Sequence, residues 1–237
     1  MSTAIAELER IADLHWRAPE RASLGEWQLR AAGGFTGRAN SALPLGSPAM
    51  PLDGAVQAVV SWYRERGLPP MITIPGPAGE LDDFLAGLGW TMRSGAAYVM
   101  TARAGSLPAP RAAARLDASP DAGWLTLFRG GDVHPCALEL LMSAPWQAFG
   151  SFRSGAEIRA VGRVSVAEGW GAITALEVAP AWRRRGLGAA LTSALCAAAG
   201  ADRILLQVAI DNAPAIALYE GLGFRISHRY HYRVAPA

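Results

Sequence analysis

Three consecutive arginines and two nearby glycines follow an apolar stretch in the second half of the chain. Residues 176–191 read LEVAPAWRRRGLGAAL, a pattern that predicts a strand ending before Pro180 and a helix beginning near Gly186. The first N–H groups of a helix have no partners within it and carry the positive end of the helix dipole. Glycines at 186 and 188 allow close approach to the backbone, and the arginines add positive charge. The segment therefore predicts a site for an anion such as a diphosphate.

Simpler interpretations of these glycines are less favoured. A tight turn between a strand and a helix also uses glycine, but this turn carries arginines and precedes an apolar helix face of Leu187, Leu191 and Leu195. A P-loop would need Gly-Lys-Ser/Thr, which the segment lacks. A dinucleotide-binding fingerprint would need a third glycine near position 191, where leucine stands.

The same residues resemble a known superfamily. Arg183-x-x-Gly186-x-Gly188 resembles the Arg/Gln-x-x-Gly-x-Gly/Ala signature of the GNAT (Gcn5-related) N-acetyltransferases. The run from Val208 to Phe224 resembles their second sequence block, in which a strand is followed by Asn, a helix bearing Leu-Tyr, and Leu-Gly-Phe. The resemblance covers residues 156–234. It implies an α/β (α+β) fold whose mixed, mostly antiparallel sheet is flanked by helices.

The resemblance further implies a binding site for acetyl-coenzyme A as co-substrate, with no metal. Backbone groups from Arg184 to Ala189 would hold the pyrophosphate, and those of Leu176 and Val178 would pair with the pantetheine arm. Asn212 would bind near the pantetheine or the pyrophosphate. The implied cofactor-binding residues are Leu176, Val178, Arg183, Arg184, Arg185, Gly186, Leu187, Gly188, Ala189, Asn212 and Tyr219.

Two residues are the candidates for catalysis. The resemblance implies that Tyr219 stands near the sulfur and protonates the leaving thiolate; a phenol with a pKa near 10 can donate to a thiolate whose conjugate acid has a pKa near 8.5. The alternative is that Tyr219 is a core residue of its helix. Glu177 is the nearest acidic candidate for the base that takes a proton from the attacking ammonium. Its side chain could instead point to solvent or into the layer of helices, and proximity alone could supply most of the rate gain.

A sequence repeat predicts two related lobes. Residues 84–90 read FLAGLGW and residues 218–224 read LYEGLGF, each followed by an alternating run, and the Pro- and Ala-rich segment 104–114 has the composition of a linker. The predicted organisation is a degenerate GNAT-like lobe over 1–103, a linker over 104–114 and an acetyl-CoA-binding domain over 115–237. The repeat aligns Leu85 with Tyr219, and the first half lacks Arg-x-x-Gly-x-Gly, so we expect its lobe not to bind acetyl-CoA productively. Common turn chemistry is the alternative explanation of the repeat.

Two further segments have open interpretations. The glycine-rich run 33–41 sits between two predicted strands and is either a long hairpin turn or a substrate-facing loop in which Arg38 meets an anionic group. The last predicted strand, 224–234, alternates, which predicts one wet or functional face of odd-numbered polar residues, including His231, and one packed face. Tyr230, His231 and Tyr232 could line the acceptor site or serve packing.

Composition limits the class of protein. Half of the 237 residues are hydrophobic and the net charge is +2, which argues against a disordered chain and gives no support for nucleic acid or an anionic membrane as a partner. Cys136 and Cys196 lie outside any zinc-binding spacing, so free thiols in a reducing compartment are expected. Without a signal-peptide pattern or a membrane-length apolar run, the sequence predicts a cytoplasmic protein.

The function that these features predict is transfer of an acetyl group from acetyl-CoA to a primary amine of a small molecule or a protein. The alternative is a non-catalytic acyl-CoA-binding regulatory module, because a fold does not fix a function. The acceptor amine stays open. So does the oligomeric state, which could be a monomer of two lobes or a homodimer.

Overall fold

The computed structural model describes residues 1–130 and 133–236. Along the first part of the chain the elements are α1 (Thr3–Leu14), β1 (Glu20–Leu24), β2 (Trp27–Ala31), β3 (Leu43–Pro44), α2 (Leu52–Arg64), β4 (Met71–Pro75), α3 (Glu80–Gly87) and β5 (Thr91–Arg103). The remaining elements are β6 (Arg115–Asp117), α4 (Ala122–Arg129), α5 (Pro135–Leu141), β7 (Trp146–Ser154), β8 (Glu157–Ala167), β9 (Trp170–Val178), α6 (Leu187–Ala199), β10 (Arg203–Ala209), α7 (Ala213–Leu222) and β11 (Arg225–Val234).

The chain forms two compact units. The first contains Met1–Tyr98 with Ser227–Ala237, and the second contains Val99–Ile226. Most of the last strand of the chain belongs to the first unit. There β11 pairs antiparallel with β4, from Tyr230 opposite Pro75 to Val234 opposite Met71. The bounds of the two units differ from the predicted domain bounds, which divide the chain at the Pro- and Ala-rich segment 104–114. The assignment of 1–103 and 115–237 as a degenerate and a binding lobe stays a prediction.

The sheets have the predicted mixed, mostly antiparallel character. The first unit has an antiparallel sheet β1-β2-β3, and β11 lies between β4 and β5; the second unit has the order β5-β10-β9-β8-β7-β6. Within that second order β6, β7, β8 and β9 pair antiparallel, whereas β9 and β10 are parallel. This confirms the expected fold class of a mixed sheet with flanking helices. The segment 107–114 has neither helix nor strand.

Helix α6 packs closely on the sheet of the second unit through two paired glycines. Gly150 on β7 lies opposite Gly162 on β8. A Cβ added at these positions would lie 2.6 and 2.8 Å from the two methyl groups of Leu195. Leu191 and Leu195 are fully buried, as the predicted apolar face of this helix requires. Because Gly150 and Gly162 have no side chains, Leu195 can sit directly over the two strands, and α6 lies close to the sheet.

The repeated Leu-Gly-aromatic segments have the same local structure. In the first, the N–H of Trp90 donates to the carbonyl of Leu85 at 3.0 Å; in the second, the N–H of Phe224 donates to that of Tyr219 at 3.0 Å. Gly89 and Gly223 both have positive φ, 79° and 106°, which glycine adopts without a steric cost. The surrounding element order also repeats, as α2-β4-α3-β5 and α6-β10-α7-β11.

Several elements differ from the sequence expectation. After the glycine-rich run the sequence predicts a strand over about residues 39–43; the structure has a 3₁₀ turn there, followed by the two-residue strand β3. Strands β1, β6 and β7 were not predicted. The glycine-rich run does join two antiparallel strands, β2 and β3. Its shape is held by Asn40, whose amide accepts from the N–H groups of Ala32 and Gly34 and donates to the carbonyls of Phe35 and Thr36.

The odd-numbered residues of β11 were expected to form a wet or functional face, and His231 does not face water. This side chain is buried, with its Nε2 2.9 Å from Asp82 Oδ1, and Arg233 Nε bonds the same oxygen at 2.7 Å. A buried carboxylate partner therefore overrides the alternation. Tyr230 and Tyr232 are also buried and pack edge to face, with ring centroids 5.5 Å apart. Over residues 1–130 and 133–236, no helix has the length and apolar character to cross a membrane.

Candidate functional site

Strand β9 diverges from its parallel neighbour half-way along its length. It pairs with β10 only from Trp170 to Ile173, yet it stays paired with β8 as far as Val178. Ala175 has a φ of 54°, and the β8–β9 register shifts between Val161 and Arg163, which marks a bulge in this stretch. Among the described residues, the edge of β9 beyond Ile173 is thus left without a partner strand on the β10 side.

The N-terminus of α6 opens beside that edge. Its N-cap is Gly186, with a φ of 78° and no side-chain cap, and the first hydrogen bond within the helix is from Ala190 N–H to the Gly186 carbonyl. The N–H groups of residues 187–189 are therefore positioned to bind an anion. Gly188 keeps this space open, because a Cβ there would lie 2.9 Å from Leu218 Cδ1, which would have to shift, and 3.7 Å from Val178 Cγ2.

The strand edge and the helix N-terminus line one cavity of about 800 Å³. Its walls come from β9, the turn, α6 and α7, and consist of Leu176, Glu177, Val178, Trp182, Arg183, Arg184, Gly186, Leu187, Gly188, Ala189, Asn212, Pro214, Ala215, Ala217 and Leu218. All of the predicted cofactor-binding residues are in this set except Arg185 and Tyr219. Asn212 has a structural task as well, because its Oδ1 accepts from Ala215 N–H and caps α7.

The three arginines of the turn have different environments. Arg183 bonds Glu177 Oε1 at 2.9 Å and the Val178 carbonyl at 3.1 Å. Arg184 lines the cavity with a φ of 60°, a left-handed conformation that is uncommon for a residue with a side chain. Arg185 lies over the ring of Trp182, 4.6 Å from its centroid. Arg183 and Arg184 outnumber Glu177 in the lining, so the cavity wall carries a net positive charge.

Sequence reasoning missed two residues of β8 that hold Trp182, one of the cavity residues. Arg159 stacks on Trp182 at 3.8 Å, and the Trp182 indole N–H donates to Glu157 Oε1 at 2.8 Å. Trp182 lies inside the recognised motif, so its position was a usable signal. Glu157 and Arg159 come from another strand and carried none. Leu218, which also lines the cavity, directly precedes the predicted Tyr219.

Tyr219 is buried next to the cavity wall. Only 7% of the residue is exposed, and its ring packs edge to face on Phe224 with centroids 5.9 Å apart. Burial is the main cause that raises the pKa of Tyr219 to about 12, and the nearby Cys196 and Glu177 raise this pKa further. The phenol thus keeps its proton at neutral pH. The ring of Tyr219 is packed in the core, which was the alternative interpretation of this residue from the sequence. The role of its hydroxyl group as a proton donor stays a prediction.

Glu177 is at the cavity and not in the layer of helices. Its carboxylate is ion-paired with Arg183, and its side chain is 37% exposed. The pairing orients both groups. Whether the carboxylate accepts a proton from a substrate stays a prediction.

Taken together, this arrangement can hold an extended anionic molecule. A diphosphate fits the N–H groups of residues 187–189 and the guanidinium of Arg184. A polar chain fits the open backbone edge of β9, where it would bond as an additional strand does.

Comparisons with known proteins give the same fold and a family. The family model described as "Probable histone acetyltransferase Rv0428c C-terminal" matches residues 2–233. The chain is 30% identical to the "Uncharacterized N-acetyltransferase YobR" of Bacillus subtilis (strain 168), over 97% of this chain and 98% of that protein.

Among solved structures, a GCN5-related N-acetyltransferase from Kribbella flavida matches with a TM-score of 0.73 at 17% identity, covering 98% of this chain and 96% of that one. A tandem GNAT protein from the clavulanic acid biosynthesis pathway matches with a TM-score of 0.63 at 14% identity, covering 100% and 90%. At these identities the two structures support the fold alone.

Proposed function

The chain belongs to the GNAT superfamily of N-acetyltransferases, and on that premise we propose that it transfers an acetyl group from acetyl-CoA to a primary amine of a small molecule or a protein. The observation that carries the proposal is that the uncapped N-terminus of α6 and the open edge of β9 line the same cavity. Membership of an acetyltransferase superfamily favours the enzyme over a non-catalytic acyl-CoA-binding module. The free thiols of Cys136 and Cys196 fit a reducing compartment such as the cytoplasm.

In the proposed reaction the amine nitrogen forms a bond to the thioester carbonyl carbon, and the carbon–sulfur bond breaks. The Tyr219 hydroxyl gives its proton to the departing sulfur, and Glu177 takes a proton from the ammonium of the acceptor. The helix N-terminus and Arg184 fix the diphosphate, so the thioester is held in one place while the amine approaches. Holding the two reactants together is itself a large contribution to rate.

Acetyl-CoA is expected to raise the unfolding midpoint of the purified protein. At a hundred times its dissociation constant a ligand adds about 2.7 kcal/mol to the free energy of unfolding, which corresponds to roughly 5–10 °C for a chain of this size. Release of free thiol in the presence of a panel of primary amines would then identify the acceptor. A midpoint that does not move in a folded protein would contradict the cofactor assignment.

Replacing Glu177 by glutamine is expected to lower kcat about 100-fold with a smaller change in the KM for acetyl-CoA, because it removes a proton acceptor and keeps the size of the side chain. Steady-state kinetics over a range of pH measures this. The matched variant Arg183→Gln removes the other half of the ion pair. If both variants raise the KM and leave kcat unchanged, Glu177 only positions Arg183.

A further inference from the structure

The first unit contains a second cavity of about 380 Å³, within the usual size range of small-molecule pockets. It is lined by Gly34, Thr36, Asn40, Leu68, Pro69, Met71, Thr91, Arg93 and Val234. Leu68, Pro69 and Val234 give the lining an apolar part. The lining also has polar groups with protons to donate, among them the Arg93 guanidinium and the hydroxyls of Thr36 and Thr91.

The Arg93 guanidinium contacts two neighbouring side chains. Its Nη1 is 3.6 Å from Met71 Sδ, and the group lies 5.9 Å from the centroid of the buried Tyr232 ring. Gly37 provides the space, because a Cβ there would lie 2.8 Å from Nη1 and 2.9 Å from Tyr232 Cζ. Arg93 as a whole is an exposed residue.

No carboxylate pairs with Arg93 within the described part of the chain. Other arginines of the same unit do have such partners: Arg21 and Arg30 pair with Asp13, Arg66 with Glu20 and Arg233 with Asp82. A planar guanidinium can bind a carboxylate through two parallel hydrogen bonds. The positive charge of Arg93 is therefore available to the carboxylate of a ligand.

Thr36 adds a strained donor to the lining of this cavity. Its φ is 63°, and a β-branched residue in this region is an outlier. Its hydroxyl oxygen accepts from the Trp16 indole at 3.0 Å, which leaves the O–H proton for another acceptor. The bonds of Asn40 to the loop maintain the conformation. Strain that is held in place in this way is typical of binding sites.

We propose that this cavity binds a small carboxylic acid with an apolar body. The carboxylate bonds Arg93 and Thr36, and the body packs against Leu68, Pro69 and Val234. A single guanidinium matches the single charge of a carboxylate; a phosphate dianion would need further donors. The proposal goes beyond acetyl transfer, because none of these residues lines the cavity at Gly188.

Isothermal titration with butanoate, 4-methylpentanoate and benzoate, each beside its neutral amide, tests the proposal. At least one acid is expected to bind, and its amide at least tenfold more weakly. Arg93→Gln should reduce the affinity for the acid at least tenfold with an unchanged unfolding midpoint, and Arg93→Lys should reduce it less, since lysine keeps the charge without the fork.

Arg184→Gln is the matched control, because it removes an arginine from the other cavity. It should leave binding of the acid intact. The proposal is overturned if none of the acids binds at millimolar concentrations, if acid and amide bind equally, or if Arg93→Gln binds as the wild type does. Loss of binding in Arg184→Gln alone would place the acid at the cavity around Gly188 and would also overturn it.

Discussion

Replacing Gly188 by leucine is expected to weaken acetyl-CoA binding about 100-fold, or about 2.7 kcal/mol. A Cβ at this position already comes within 2.9 Å of Leu218 Cδ1 on the opposite wall, so a larger side chain fills the space that a diphosphate needs. The helix N–H groups remain but are no longer reachable. Isothermal titration of acetyl-CoA measures the loss directly, and the stabilisation of the unfolding midpoint should disappear with it.

The contact with Leu218 also gives this variant a stability cost, which for overpacking is about 1–3 kcal/mol. The unfolding midpoint without ligand shows whether the variant is folded. Gly221→Leu is the control in the same unit, because a Cβ at Gly221 meets nothing within 4 Å; it should bind acetyl-CoA as the wild type does. Wild-type affinity in Gly188→Leu would exclude this helix N-terminus as the diphosphate site.

The part of the site that the sequence predicts is the part that is encoded locally. The start of a helix near Gly186 was predicted from one run of residues, and the structure has α6 beginning there. The left-handed φ of Gly186 and the uncapped N-terminus of α6 were not predicted, although both belong to the same run. The turns at Gly89 and Gly223 are also encoded locally, because the residue type and the local hydrogen bonds determine each other there.

What the sequence could not predict depends on contacts between distant segments. Glu157 and Arg159 reach Trp182 only because β8 and β9 pair in one register, and no local pattern gives that register. His231 can be buried because its imidazole is hydrogen-bonded to Asp82, which lies 149 residues earlier in the chain. Alternation along a strand reports which face a residue is on; it does not report that a buried partner exists on the polar face.

Strand β7 was missed for a different reason. Gly150 interrupts its sequence, and glycine weakens the signal for a strand because it has no side chain to pack. In the structure that absence is the useful property, since Leu195 of α6 occupies the space over Gly150 and its partner Gly162. A residue that argues against an element locally can thus be required by the packing of a helix on that element.

Replacing Tyr219 by phenylalanine is expected to lower kcat about 100-fold and leave the affinity for acetyl-CoA nearly unchanged. General acid catalysis typically contributes at least this factor, and an interaction made only in the transition state affects kcat and not binding. Phenylalanine keeps the packing on Phe224. Within the described residues the hydroxyl has no hydrogen-bond partner, so its removal leaves no buried polar group unpaired and stability should change little. Rates of thiol release and titration of acetyl-CoA measure the two effects separately.

The pH dependence of kcat provides the second check on the same residue. Since burial raises the pKa of Tyr219 to about 12, the phenol stays protonated through the neutral and mildly alkaline range, and the wild type should show no loss of kcat from its ionisation there. Its raised pKa also favours the folded state below the pKa of a free phenol, near 10, and that contribution is lost as the pH rises toward 12. An unchanged kcat in Tyr219→Phe would remove the residue from the mechanism. A fall in kcat accompanied by an equal fall in affinity would assign Tyr219 to shaping the cavity, with protonation of the sulfur left to solvent.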